Sequence, residues 1–190
     1  HKLAITLSLA YGKRVNLNDI YREGITDISQ QDIVFAKELG YRIKLLAIAI
    51  LRNGVVESRI HPTMIPSDHL LANVNQNYNA FHFVGDASGP VFLYGQGSGM
   101  LPTASAVVSD VVDIARDLIK GIPGRVPLRS INEAALEDIN LLPMDEVETT
   151  YYFRFAVVDR PGVLSKISGI LGENNISIAT VIQKARHEEG

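Results

Sequence analysis

Apolar residues recur at helical spacing at the start of the chain. Leu3, Leu7 and Ala10, with Ala4 and Leu9 beside them, predict a helix that stops near Gly12. Ser29 followed by Asp32 has the form of a capping box and opens a second helix to Leu39, with Gly40 placed to close it in the left-handed conformation. The period then switches to two. Tyr41, Ile43 and Leu45 alternate with Arg42 and Lys44, and from Leu45 onward both faces turn apolar, so this strand is expected to enter a core. Asn53-Gly54 predicts a type I′ turn, whose two central residues need positive φ. The return strand is expected over residues 55–65, with Pro62 and Pro66 limiting its pairing. Asp68 is placed to cap a short helix through Val74.

Strands follow at residues 80–85, with Phe81 and Phe83 on one face, and at 91–94 after the Ser88-Gly89-Pro90 turn. Gly95-Gln96-Gly97-Ser98-Gly99 breaks the second strand, and Pro102 sits where a helix can start. Val107, Val108, Val111, Val112, Ala115, Leu118 and Ile119 give that helix a broad apolar face, and Gly121 stops it. Residues 121–127 read as a loop. Residues 131–148 are mixed and acidic and read as a linker between a first domain at 1–130 and a second at 149–190. The second begins with a strand at 151–158, turns at Asp159-Arg160-Pro161-Gly162, and continues as a helix over 163–173 that Asn174-Asn175 ends. Ile176, Ile178 and residues 180–182 predict another strand, completing one βαβ unit that needs further sheet partners. Helices and strands mix, with a hairpin at Asn53-Gly54. The fold class is therefore α+β: a mixed β-sheet covered by helices on one face, followed by the βαβ unit.

Composition narrows the function. A formal net charge of -3 leaves no basic field to hold a phosphate backbone, so nucleic acid is not an expected partner. The chain has no cysteine, which removes disulfides and thiolate metal sites and suits a reducing, cytoplasmic setting. The longest apolar run, residues 45–51, is too short to span a bilayer, so no membrane is expected. His61, His69, His82 and His187 fall in different elements with no HxxxH or HxH pair, and no metal site is expected. The chain opens at His1 directly in a helical pattern, which reads as a piece of a longer protein.

Three places could carry chemistry. Glycines at 95, 97 and 99 between a strand and a helix allow close backbone approach to a ligand, but the spacing is neither GxGxxG nor a P-loop, and a tight turn explains it equally well. Lys2, if enclosed, could give a proton to a developing alkoxide; taken alone it reads as a solvated surface lysine. The 159–164 turn could bind the carboxylate of a small amino acid through Gly162, or could be a helix start capped by Asp159.

Taken in order, Lys2-Leu3-Ala4-Ile5, Glu23-Gly24-Ile25, the run from Ala36 through Leu46, Tyr94-Gly95-Gln96-Gly97-Ser98-Gly99 and Leu101-Pro102-Thr103-Ala104-Ser105-Ala106-Val107 resemble the catalytic half of bacterial homoserine dehydrogenases. Asp159-Arg160-Pro161-Gly162-Val163-Leu164 resembles the first half of an ACT domain, a ferredoxin-like regulatory module. The resemblance implies reversible reduction of aspartate semialdehyde to homoserine with NADP or NAD, on the route to threonine, methionine and isoleucine. It implies Lys2 as the proton donor, Gly97, Ser98 and Gly99 as cofactor contacts, and Asp159, Gly162, Val163 and Leu164 as an effector corner whose usual ligand is threonine. It also implies a homodimer or homotetramer. The family's dinucleotide-binding domain, the acidic residues just before its catalytic lysine, and the later strands and second helix of the ACT domain are not in this sequence. The chain by itself is expected to be inactive, since positioning of donor and acceptor can supply roughly 7–11 kcal/mol of such a barrier.

Overall fold

A computed structural model describes residues 1–122 and 136–184. Its contacts divide into two units, 1–150 and 151–190. His187 and most of the loop expected at 121–127 lie outside the described residues.

In the first unit, helix α1 (Lys2–Tyr11) ends on Gly12, which takes φ 60 and returns its amide to the Ser8 carbonyl. Its stripe at Leu3, Ala4 and Leu7 is buried with Ile20 and Val56, and Tyr11, Val15, Leu17, Ile60, Ile139 and Leu141 close around them. Helix α2 (Gln30–Glu38) has the expected capping box, with Ser29 and Asp32 each bonding the other's backbone amide. Both orphan donors are thereby satisfied, and Ala36 of this helix is buried.

The sheet forms around one strand. β2 (Tyr41–Arg52) and β3 (Val55–Pro66) are antiparallel, joined at Asn53 (φ 52) and Gly54 (φ 81), the left-handed pair that the dipeptide predicted. On its other edge β3 takes two short parallel strands, β1 (Tyr21–Arg22) and β6 (Leu141–Leu142). The prolines do not limit the hairpin: register runs on through Leu45↔Pro62 to Tyr41↔Pro66. Nor does β2 enter a core on both faces. Residues 46, 48 and 50 are half-buried, while Leu45 and Leu51 are 52% and 53% exposed. β3 is the buried strand instead, with Val56, Glu57, Ser58 and Arg59 all enclosed. The Arg59 guanidinium donates to the Glu57 carboxylate and Arg52 lies 3.4 Å from it, so the buried acid is paired.

Residues 136–148, expected as part of a linker, belong to this unit. Arg14 and Asp138 form a parallel bridge, with the Arg14 amide donating to the Glu137 carbonyl (2.8 Å) and the Ile139 amide to the Arg14 carbonyl (2.9 Å). Leu136 is buried, and β6 follows at once. The Lys13–Glu137 ion pair holds the Glu137 carboxyl below its ordinary pKa, first through its hydrogen bond and then through charge. With Glu137 in solvent, this pair adds little to stability; the backbone bonds beside it carry the junction.

After β3 a 3-10 turn (Leu70–Asn73) is capped by His69, whose ring nitrogen accepts from the Leu71 amide, and not by Asp68. A second, two-stranded sheet follows, β4 (Tyr78–Gly85) against β5 (Gly89–Gln96). Phe81 and Phe83 stack on one face of it, as the alternation predicted. Helix α3 (Met100–Lys120) begins two residues before Pro102 and ends on Gly121 at φ 65. None of its residues is buried.

In the second unit, α4 (Val163–Glu173) has the predicted bounds, and Asn175 leaves it at φ 58. The flanking segments at 151–158 and 176–182 do not pair into strands among the described residues. In the ferredoxin-like arrangement that the resemblance implies, the βαβ is split, so the two strands would flank a third instead of each other. The alternation of the first segment is still visible, with Tyr151, Phe153 and Phe155 stacked in succession.

Leu7 is 1% exposed at the centre of the first unit's core, and Leu9 of the same helix is 58% exposed. Leu7→Ala is expected to cost about 2–5 kcal/mol in denaturant unfolding. Leu9→Ala should stay within about 0.5 kcal/mol.

Candidate functional site

Lys2 is the first residue of α1 and is exposed; its carbonyl accepts from the Thr6 hydroxyl at 2.9 Å. The residues after it, Leu3 and Ala4, are buried. The lysine therefore projects from a helix whose rotation and height are fixed by the core.

Gly97, Ser98 and Gly99 link β5 to α3 and are exposed. Gly99 takes φ 126 and ψ 153, a region open essentially to glycine alone, and forms the N-cap of α3 without a side-chain bond. Gly97 is a glycine for a different reason. A Cβ there would lie 2.0 Å from Nδ2 of Asn79 and 2.3 Å from its Cγ. The loop is held from β4's side: the Gly97 amide donates to the Asn77 carbonyl (2.8 Å), and Asn77 Nδ2 donates to the Ser98 carbonyl (3.0 Å). The Thr103 amide reaches back to the Gly99 carbonyl at 3.1 Å. Among the described residues, the amides of Ser98, Gly99, Met100 and Leu101 donate to nothing, and the first turn of α3 holds no acidic side chain. Successive open amides at a helix start without a repelling carboxylate suit a group rich in acceptor oxygens.

Lys2 and the glycine loop share no hydrogen bond or ion pair among the described residues; one rides on the core helix and the other on the β4–β5 hairpin. A cavity of about 390 Å³ lies elsewhere, lined by Pro66, Asp68, His69, Leu70, His82 and Phe92, and contains neither. No three His, Asp or Glu side chains among the described residues are placed to hold a metal ion, and no described helix is long and apolar enough to cross a membrane.

In the second unit Gly162 caps α4 at φ 88, and the Lys166 amide bonds its carbonyl at 3.0 Å. Asp159 is exposed three residues earlier and is not the cap, so the alternative reading of this turn as an Asp-capped helix start is not realised. Val163 is half-buried and Leu164 is 43% exposed.

Sequence reasoning missed Asn77 and Asn79. Both stand outside the motif, Asn77 bonding it and Asn79 lying against Gly97, and only the β4–β5 register, with Asn79 opposite Gly95, brings them to it.

Because a Cβ at Gly97 would meet the Asn79 carboxamide, Gly97→Ala should destabilise the protein and the Gly97→Ala/Asn79→Ala double variant should recover part of the loss. A coupling of about 0.5–3 kcal/mol in a double-mutant cycle is expected; additive losses would show that the asparagine does not confine the glycine.

Comparison with known proteins agrees over the whole chain. Residues 1–112 match the family model for homoserine dehydrogenase, and residues 151–190 match that for the ACT domain. A homoserine dehydrogenase of Neisseria gonorrhoeae is 44% identical over 97% of this chain and 42% of its own length. One from Pseudomonas aeruginosa is 43% identical over 100% of this chain and 44% of its own. The crystal structure of a homoserine dehydrogenase from Thiobacillus denitrificans superposes with a TM-score of 0.83 at 41% identity, covering 97% of this chain and 42% of that one. The chain thus spans less than half the length of these relatives. It belongs to the homoserine dehydrogenase family and carries an ACT domain in its second unit.

Proposed function

We propose that the full-length protein reduces L-aspartate 4-semialdehyde to L-homoserine with NADPH or NADH, reversibly, in the biosynthesis of threonine, methionine and isoleucine. One observation carries this reading: the family match over residues 1–112 spans both Lys2 and the Gly97–Gly99 loop. The residues present fit a dinucleotide, because the loop offers open backbone amides with no carboxylate beside them. Bound NAD(P)H would supply the hydride that reduces the aldehyde carbon. Lys2 Nζ gives the proton that the carbonyl oxygen takes up as its bond to carbon becomes single, and solvent reprotonates the exposed amine. Gly97, Ser98 and Gly99 hold one end of the dinucleotide. The absence of cysteine fits work in the cytoplasm. The exposed apolar residues of the hairpin, among them Phe81, Phe83 and Leu93, fit assembly as a homodimer or homotetramer.

The first test is NADPH oxidation with aspartate semialdehyde by the full-length protein. Lys2→Ala should lose roughly 10²–10⁴-fold in kcat. A folded wild type that turns over neither cofactor would sink the enzyme reading; an unimpaired variant would remove Lys2 from the mechanism.

The ACT unit supports a second activity, sensing of an amino acid, threonine above all, at Asp159, Gly162, Val163 and Leu164. Gly162 places open backbone at the start of α4, as a carboxylate ligand requires. Threonine should raise the melting temperature of the full-length protein, and Asp159→Ala should abolish that rise. No shift with threonine or any other proteinogenic amino acid would count against an effector site here.

A further inference from the structure

We propose that Asn77 is the positioning residue of the glycine loop, and that it sets the affinity for the nicotinamide dinucleotide without touching it. The inference rests on the function proposed above and goes one step behind the loop.

Asn77 lies just beyond the last ladder pair of the hairpin, Tyr78↔Gln96, and faces Gly97. It is the one described residue that bonds two successive loop residues. Its carbonyl takes the Gly97 amide at 2.8 Å, and its carboxamide donates to the Ser98 carbonyl at 3.0 Å. The two bonds hold the peptide units on either side of the Gly97–Ser98 link, through the Gly97 amide and the Ser98 carbonyl. With the loop held there, the amides of Ser98, Gly99, Met100 and Leu101 find no acceptor among the described residues.

The segment that carries Asn77 is held on both sides of it. Lys44 reaches across from β2 to the Val74 carbonyl and to Asn75 Oδ1 at 3.0 Å. Partial burial, and after it the charge of Arg42, lower the Lys44 pKa, as expected for an amine drawn in to cap backbone. The Tyr78 amide bonds the Asn75 carbonyl at 3.2 Å, and the Tyr78 ring stacks on Tyr94 with centroids 4.7 Å apart. Polar contacts therefore tie the segment to the large sheet at residues 74 and 75 and to the loop at Asn77, two residues further along the chain.

Among the described residues the loop has no other anchor of this kind. Its residues are exposed, and α3 beyond it buries none of its side chains. Burial cannot set its shape, so hydrogen bonds must. Affinity for a ligand held by backbone amides depends on those amides being aimed before it arrives.

The test uses the full-length protein with Asn77→Asp, which keeps the size of the side chain but sets an acceptor against the Ser98 carbonyl. Asn77→Ala is the second variant, should the first fold poorly. Asn73→Ala is the control, because Asn73 bonds the Ser67 and His69 carbonyls in the same segment but not the loop. NADPH affinity is read without turnover, from the fluorescence of the bound nucleotide, together with hydrogen exchange across residues 97–103. For both Asn77 variants the Kd for NADPH should rise about tenfold or more, the scale of one lost or opposed hydrogen bond. Exchange across the loop should quicken, and the KM for aspartate semialdehyde at saturating cofactor should hold. Asn73→Ala should change none of these. Wild-type NADPH affinity in Asn77→Asp and Asn77→Ala, or an equal loss in Asn73→Ala, overturns the proposal. A wild type that binds no dinucleotide overturns the function it rests on; unchanged exchange in the loop would then still overturn Asn77 as its anchor.

Discussion

The first unit depends on β3 having both edges filled. β2 pairs with it over its whole length, and β1 and β6 take the opposite edge at Arg59, Ile60, Val56 and Glu57. With its backbone bonded on two sides, a stretch of β3 can leave water without stranding amides or carbonyls. That makes it possible to bury Glu57 and Arg59, whose mutual pairing meets the second condition for removing charge from solvent. One cost remains, since the buried Ser58 hydroxyl finds no hydrogen-bond partner among the described residues. The core then assembles on Val56 of this same strand, with α1 laid over it.

What the sequence made legible was whatever is decided within a few residues. The Ser29–Asp32 box, the left-handed glycines at 12, 40 and 121 and the Asn53-Gly54 turn each depend on local geometry, and each formed where the pattern placed it. Pairing over long separations was not legible. Nothing around Leu141 says that it will join β3, and a mixed acidic stretch looks like a linker until Arg14 is seen to bond it. The apolar run after Leu45 suggested burial on both faces because composition cannot say which face of a sheet is covered. In the candidate site, Lys2 and the glycine loop were visible through family resemblance. Asn77 was not, because its partner Ser98 lies 21 positions away and an asparagine before a strand has no distinctive signature.

The two halves of the proposed chemistry are held by opposite means. Lys2 sits on the helix that contributes Leu3, Ala4 and Leu7 to the core, so a proton donor inherits its position from packing. The glycine loop joins the two least covered elements of the unit. Val107, Val108 and Ile114 of α3 are each more than half exposed, as are Leu93 and Tyr94 of the hairpin. A two-stranded hairpin is at best marginally stable on its own, and glycine loses more conformational freedom on ordering than any other residue.

Those two facts set the requirement that polar contacts must meet. A side chain at Gly97 would meet the Asn79 carboxamide, and Gly99 must reach a backbone region closed to other residues. Neither position can gain rigidity from a side chain of its own. Stiffness has to come from outside the loop, and the shortest route is through the strand that already faces it, where one carboxamide and one carbonyl of a single residue suffice. The large sheet supplies the fixed end of that route through Lys44, so the loop's geometry is tied to the best-paired part of the fold even though the loop itself buries almost nothing.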